Sequence, residues 1–299
     1  MLVMKRYSQS EFHLLRKLML LLCVLLPAAV QAGGEWETQS SRYLEQLLKN
    51  NPERLPALAE PVVLDFYQQR QYKPAWSDQK GRLDRAYDLL QVIIRAKDEG
   101  LHPDDYYLDD IRRYWDATGL GESVQLDLLL SAALYRYSKH VYSGRFDPLE
   151  VDKDWYINNK PLDVRRLFAD AASKASIAKL LKDLPPQHAG YQALKQQLHH
   201  FRELARQGGW QKFAWGPVLE SGVQHNQVLQ LRKRLKLTGD LVVDPFPDMD
   251  MYDRWLEEAV MHYQARHGLE MDGKVGPATR RSLNVSVSDR IKQIRINME

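Results

Sequence analysis

Leu126-Asp127-Leu128-Leu129-Leu130-Ser131-Ala132-Ala133-Leu134-Tyr135-Arg136-Tyr137-Ser138-Lys139-His140-Val141 is the stretch that decides the fold. Its side chains Leu126, Leu129, Leu130, Ala133, Leu134, Tyr137 and Val141 recur every three or four residues. That is the period of a helix with one apolar stripe, and not the alternation of a strand. The same period runs through Val62, Val63, Phe66 and Tyr67, and through Leu83, Tyr87, Leu90 and Ile94. Pro185-Pro186 breaks the pattern, and Tyr191, Leu194, Leu198 and Phe201 resume it. Gly144 closes the first stripe, and Asp147-Pro148-Leu149-Glu150 has the form of a new helix start. No series of alternating strands emerges; Leu241-Val242-Val243 is the best short extended candidate. The expected class is all-α.

The chain has 299 residues, of which 44% are apolar and 27% charged. This is globular composition, which excludes a disordered, collagenous or disulfide-framework protein. The formal charge of +3 belongs to the N-terminus, where Lys5, Arg6, Arg16 and Lys17 face only Glu11. Beyond residue 32 acidic and basic side chains balance, so the folded part lacks the sustained basic excess that nucleic-acid binding requires.

After the basic segment, Leu18 to Val30 is uninterrupted and apolar. It is too short for the roughly 20 residues of a membrane helix. It ends in Val30-Gln31-Ala32, a small-residue cleavage pattern, so residues 1–32 are expected to be a secretory signal peptide. The membrane then enters only through this segment while it is uncleaved. The one cysteine, Cys23, lies inside it, with Leu22 where a lipoprotein signal has a small residue. The processed chain is left with no thiolate nucleophile, disulfide or cysteine-ligated metal.

Turn residues from Gly208-Gly209 to Gly216-Pro217 mark a boundary. A small three-helix module is expected after it. Val228, Leu231 and Leu235 mark its first helix; Tyr252, Leu256, Ala259, Val260 and Tyr263 mark the second, closed by Gly268. A double turn at Asp272-Gly273 and Gly276-Pro277 leads to the third, Ala278 to Leu283. Glycines 268, 273 and 276 are expected to supply positive φ, and Thr279 a local hydrogen bond. A last amphipathic stretch with Ile291, Ile294 and Met298 runs to the C-terminus in mid-pattern, as if the chain were cut there.

The run from Tyr263-Gln264 through Gly268-Leu269, Asp272-Gly273 and Gly276 to Thr279 resembles the peptidoglycan-binding domain found beside many cell-wall enzymes. Phe66-Tyr67-Gln68-Gln69-Arg70 with Pro74 to Trp76 looks like a scaffold motif of large periplasmic L,D-transpeptidases. Asp127 to Pro148, Leu184-Pro185-Pro186-Gln187-His188, and Asp289-Arg290-Ile291 to Glu299 are similar to further segments of that family, in its order. The resemblance implies a signal peptide at 1–32, a helical scaffold domain at 33–215, a peptidoglycan-binding domain at 216–287, and a helical stub at 288–299 before an absent catalytic domain. It implies a location in the Gram-negative periplasm, with peptidoglycan as partner and other periplasmic cell-wall synthesis proteins as a further class. In the complete family a cysteine in a Ser-His-Gly-Cys context forms an acyl-enzyme that cross-links two diaminopimelate residues. That tetrapeptide does not occur here, so this chain alone is expected to be inactive, with no catalytic residue assigned.

Other chemistry has weaker support. His199-His200 and the pair His262, His267 are poorly spaced for one helix face, and no metal site is assigned. Asp104-Asp105 and Asp109-Asp110 resemble turn and cap residues more than the paired carboxylates of a wall hydrolase. No phosphate loop or dinucleotide glycine pattern occurs, and no cofactor is expected. An unrecognised peptidoglycan hydrolase and a protein-binding periplasmic adaptor are the alternative functions. The candidate wall contacts are Tyr263, Lys274, Arg280 and Asn284, on or beside the turns joining the last two helices of the module, with Lys274 and Arg280 expected on the surface. Some of the 15 tyrosines and 7 tryptophans could stack on sugar rings, but the sequence does not say which.

Overall fold

The computed structural model describes residues 34–50, 60–146, 161–173 and 176–299. The segment read as a signal peptide, with Cys23, and the helix start at Asp147-Pro148-Leu149-Glu150 lie outside the described residues. The chain forms two compact units that divide between Gln187 and His188. It is an all-α protein. Among the described residues no helix is long and apolar enough to cross a membrane.

In the first unit, helix α1 covers residues 34–50 and α2 covers Pro61–Gln69. A minimal antiparallel pair, β1 (Ser77–Asp78) and β2 (Gly81–Arg82), precedes α3 (Asp84–Ile94) and α4 (Leu108–Trp115). The long α5 (Leu120–Ser143) follows, then α6 (Val164–Ser173) and α7 (Ile177–Leu181). The predicted stripe of α5 is buried, and so are Leu128, Ala132, Asp127 and Ser131 on its other faces. A helix enclosed on all sides is the core, not a lid on it. Each fully buried leucine contributes about 1.5–3 kcal/mol.

One buried carboxylate fixes how the elements around α5 meet. Asp127 Oδ1 accepts from the Tyr67 hydroxyl at 2.6 Å and from the Ala75 N–H at 2.8 Å. Its Oδ2 accepts from the Trp76 N–H at 2.8 Å and the Ser77 hydroxyl at 3.2 Å. One turn on, Ser131 Oγ accepts from the Trp76 indole at 2.8 Å. Arg70 and Arg85 hold the carbonyls of the same segment at Lys73, Pro74 and Ala75. Two sequence motifs sixty residues apart are therefore one structural knot. Burial pushes the Asp127 carboxyl up and the four donors pull it back; burial also pushes the Tyr67 phenol well above its ordinary range.

The acidic pairs are helix-start residues, as their spacing suggests. Asp104 and Asp105 open a 3-10 turn at Pro103–Tyr106, and Asp109 and Asp110 lie in the first turn of α4. There they complement the helix dipole.

In the second unit, α8 (Ala189–Arg206) is followed by α9 (Gln227–Leu237), α10 (Arg254–Arg266), α11 (Pro277–Leu283) and α12 (Val287–Asn297). The core of α9, α10 and α11 consists of the predicted residues, among them Val228, Leu231, Leu235, Leu256, Val260, Tyr263 and Leu283, joined by Phe213, Leu219 and Val275. The C-terminal stretch read as a stub is α12, and it packs on α8: Met298, Ile291 and Ile294 meet Tyr191, Leu194 and Leu198.

Two expectations need correction here. Leu241-Val242-Val243 is not a strand. The Leu241 N–H turns back to the Leu235 carbonyl, while Val242 and Val243 face solvent with no neighbouring strand to pair with. Gly268 and Gly273 do lie at positive φ, 64° and 68°, but Gly276 does not. It sits at φ −82° as the residue before Pro277 at the start of α11, an extended position that proline imposes on its predecessor.

Candidate functional site

The motif that carries the resemblance in the second unit is built around Gln264. This side chain is buried. Its amide donates toward Asp272 Oδ1 at 2.7 Å, the Lys274 carbonyl at 3.0 Å and Thr279 Oγ1 at 3.2 Å. Its own carbonyl accepts from the Gly273 N–H at 3.0 Å. Thr279 in turn donates to the Lys274 carbonyl. One glutamine on α10 thus organises the whole 272–279 turn, and Tyr252 closes it by donating to the Gly273 carbonyl. The Lys274 N–H and the Gln264 amide hold the Asp272 carboxyl below the usual carboxylate range. At Gly273 positive φ and close packing coincide, since an added Cβ would lie 2.9 Å from Glu257 Cγ. The motif residues are fixed to one another and build the turn.

The four candidate contacts separate in this geometry. Tyr263 is fully buried, and its hydroxyl is 2.9 Å from Ser282 Oγ. Lys274 is exposed and paired with Glu220 at 2.7 Å. Arg280, expected on the surface, is buried, with only 1% of its surface accessible. The reason is that α11 turns it under the chain segment before α9. There its guanidinium donates to the carbonyls of Ala214 and Pro217 and to Gln227 Oε1, and lies over the Phe213 ring. Asn284, one turn further on, takes both backbone groups of Phe213, accepting from its N–H at 2.7 Å and donating to its carbonyl at 2.9 Å. Arg280 and Asn284 therefore meet on the strap 210–218. Lys274 borders the far end of that strap, where Val275 pairs with Leu219.

In the sequence the strap shows only as a boundary of turn residues. The signal was Trp210, Phe213 and Trp215, three aromatic residues in a stretch otherwise made of turn formers. Trp210 covers Arg234, whose guanidinium carbon sits 3.6 Å from the ring centroid, and burial lowers that arginine to about 10. Phe213 enters the core and Trp215 stays outside.

Arg232 does comparable work on the other side. Buried, it pairs with Asp244 and Asp253, each at 2.6 Å, and donates to the carbonyls of Met249 and Met251. It fixes the course of the loop from Leu241 to Asp253. Asp253 also caps α10 through the Leu256 N–H. Burial pushes the Asp253 carboxyl up, but Arg232 and the capping N–H outweigh it and leave it below the ordinary value. Of the histidines read as poor ligands, His200 on α8 lies 3.3 Å from the Leu237 carbonyl, and His267, the residue that ends α10, packs on Tyr263 with ring centroids 4.2 Å apart.

Comparison with family models matches residues 61–198 to the Scaffold domain and residues 224–283 to the peptidoglycan binding domain. The two domains, in this order, match the L,D-transpeptidase-like architecture that the sequence motifs resemble. No curated protein gives a significant match. The peptidoglycan-binding domain supports a wall-binding role, peptidoglycan as partner, and a cell-wall-associated location. Its matched span begins and ends inside the second unit and contains the Gln264 turn, the Arg232 loop and Arg280.

Proposed function

We propose that this chain is the scaffold and wall-anchoring portion of an L,D-transpeptidase-like system that cross-links murein in the periplasm. The match of residues 224–283 to the peptidoglycan binding domain carries the reading. The intact hydrogen-bonded turn at its centre supports it, because a binding surface needs a rigid base. In this reading residues 1–32 direct export and are removed after Ala32, the second unit docks on the wall, and the first unit is a rigid helical body. The covalent chemistry belongs to a cysteine acyltransferase, which attacks a stem peptide through a thiolate and passes the acyl group to an amine. Within the exported chain no cysteine is available for that step.

Incubation of the exported chain with purified sacculi tests this. Co-sedimentation with the wall is expected, with an unchanged muropeptide profile. Release of disaccharide peptides would convert the reading to a hydrolase. A chain that stays in the supernatant would favour the protein-binding adaptor.

A further inference from the structure

We propose that Trp215 is a stacking platform for the pyranose rings of the wall glycan, and that Arg280, Asn284 and Gln227 are the residues that position it. This rests on the reading of the chain as peptidoglycan-binding, and it names the surface and the part of the polymer that surface takes.

The strap from Gln211 to Val218 is exposed at every residue except Phe213. An exposed irregular segment usually lacks partners for its backbone and is mobile. Here the backbone is pinned almost residue by residue. Gln230 donates to the Lys212 carbonyl, and Asn284 takes both groups of Phe213. Arg280 and Gln227 converge on the Ala214 carbonyl, Gln227 reaches the Trp215 carbonyl, and Arg280 also holds the Pro217 carbonyl. Leu219 then pairs with Val275. Four side chains, from α9, from α11 and from the residue that ends α11, fix a strap whose largest residue, Trp215, remains 61% exposed.

A fixed, outward indole is a preorganised binding element. Its two side-chain torsions lose little entropy on contact, and the immobile backbone removes the loop-ordering cost. The face of the ring is electron-rich, which suits the C–H groups on one face of a sugar ring, while the indole N–H can meet a hydroxyl. The occupant is the glycan because the feature this surface presents is an aromatic face. The Arg280 guanidinium beneath the strap is turned inward onto carbonyls, and Lys274 beyond it is paired with Glu220. Lys274 borders Val275, and Leu219 lies within about 14 Å of Trp215 along an extended chain. Lys212 is exposed on the strap itself, so a stem-peptide carboxylate is the competing occupant that the test separates.

The test uses the exported chain, its Trp215→Ala and Trp215→Phe variants, whole sacculi, peptide-free glycan strands and free stem peptides. Wild type is expected to bind sacculi and peptide-free glycan. Trp215→Ala should lose about tenfold in affinity for both, about 1.4 kcal/mol, with an unchanged melting temperature. Trp215→Phe should recover part of the loss, because it keeps an aromatic face. Retention of Trp215→Ala at the wild-type level would overturn the stacking role while leaving wall binding intact. Wild-type binding to stem peptides but not to glycan would overturn it as well. Failure of wild type to bind sacculi at all would remove the peptidoglycan reading, and this proposal with it.

Discussion

Asp127→Asn tests whether the knot around α5 holds the first unit together. The substitution keeps shape and removes one acceptor. All four partners of the carboxylate are donors, two on each oxygen. Whichever way the Asn amide turns, its NH2 faces one hydroxyl and one backbone N–H. The hydroxyl of Tyr67 or Ser77 can rotate and accept instead; the N–H of Ala75 or Trp76 cannot. One buried N–H is thus orphaned, at about 1–3 kcal/mol. Relief from burying a charge offsets part of the lost charge-assisted bonding, so a net loss of about 2 kcal/mol is expected. Asp127 is 1% exposed, so water does not replace the lost partner. Asp127→Ala, which strands every donor, should cost about 4 kcal/mol or more. Urea unfolding measures the loss, and amide hydrogen exchange at Ala75 and Trp76 localises it. Asn at wild-type stability, with both amides still protected, would refute the argument.

His267 gives the second unit a pH dependence. Burial, then Arg290 and Arg266, lower its imidazole from 6.5 to about 4. The unfolded chain therefore binds the proton more readily, and stability present above pH 6.5 is lost as pH falls toward 4. Solvent screening of a half-buried ring reduces the loss to about 1 kcal/mol. His267→Asn should flatten thermal stability across that window and leave the loss below pH 4 to carboxylates such as Asp272; an unflattened profile contradicts the assignment. Arg280→Ala, expected to be silent were the side chain on the surface, should lower stability by about 2 kcal/mol and raise hydrogen exchange in 213–217. A melting temperature equal to wild type would show the strap to be held without it.

The helical class and the three-helix module were legible because their signals are local. Stripes such as Leu126 to Val141, Pro277 at a helix start and Gly268 at a helix end state periodicity and chain reversal directly. What stayed hidden is non-local. Leu128 and Ala132 show burial on the remaining faces of α5 only when α2, α3 and α4 close around it. Arg280 and Asn284, two of the four candidate contacts, are four residues apart at the C-terminal end of α11. The element beneath which they fall was invisible, because the strap has no period of its own. Leu241-Val242-Val243 shows the converse error: β-propensity without a partner strand makes no strand. Gln264 was visible as a motif letter, but only the geometry reveals that it works by bonding across ten residues to the Lys274 carbonyl.

The central claim is that this chain meets the wall through its second unit. An amide-resolved NMR titration of the exported chain with soluble peptidoglycan fragments tests it most directly. The account predicts saturable shifts confined to residues 210–284, strongest at Trp215 and its neighbours on the strap, with the residues around Asp127 unmoved. Shifts that cluster in the first unit, or a spectrum that fragments leave unchanged, would contradict it.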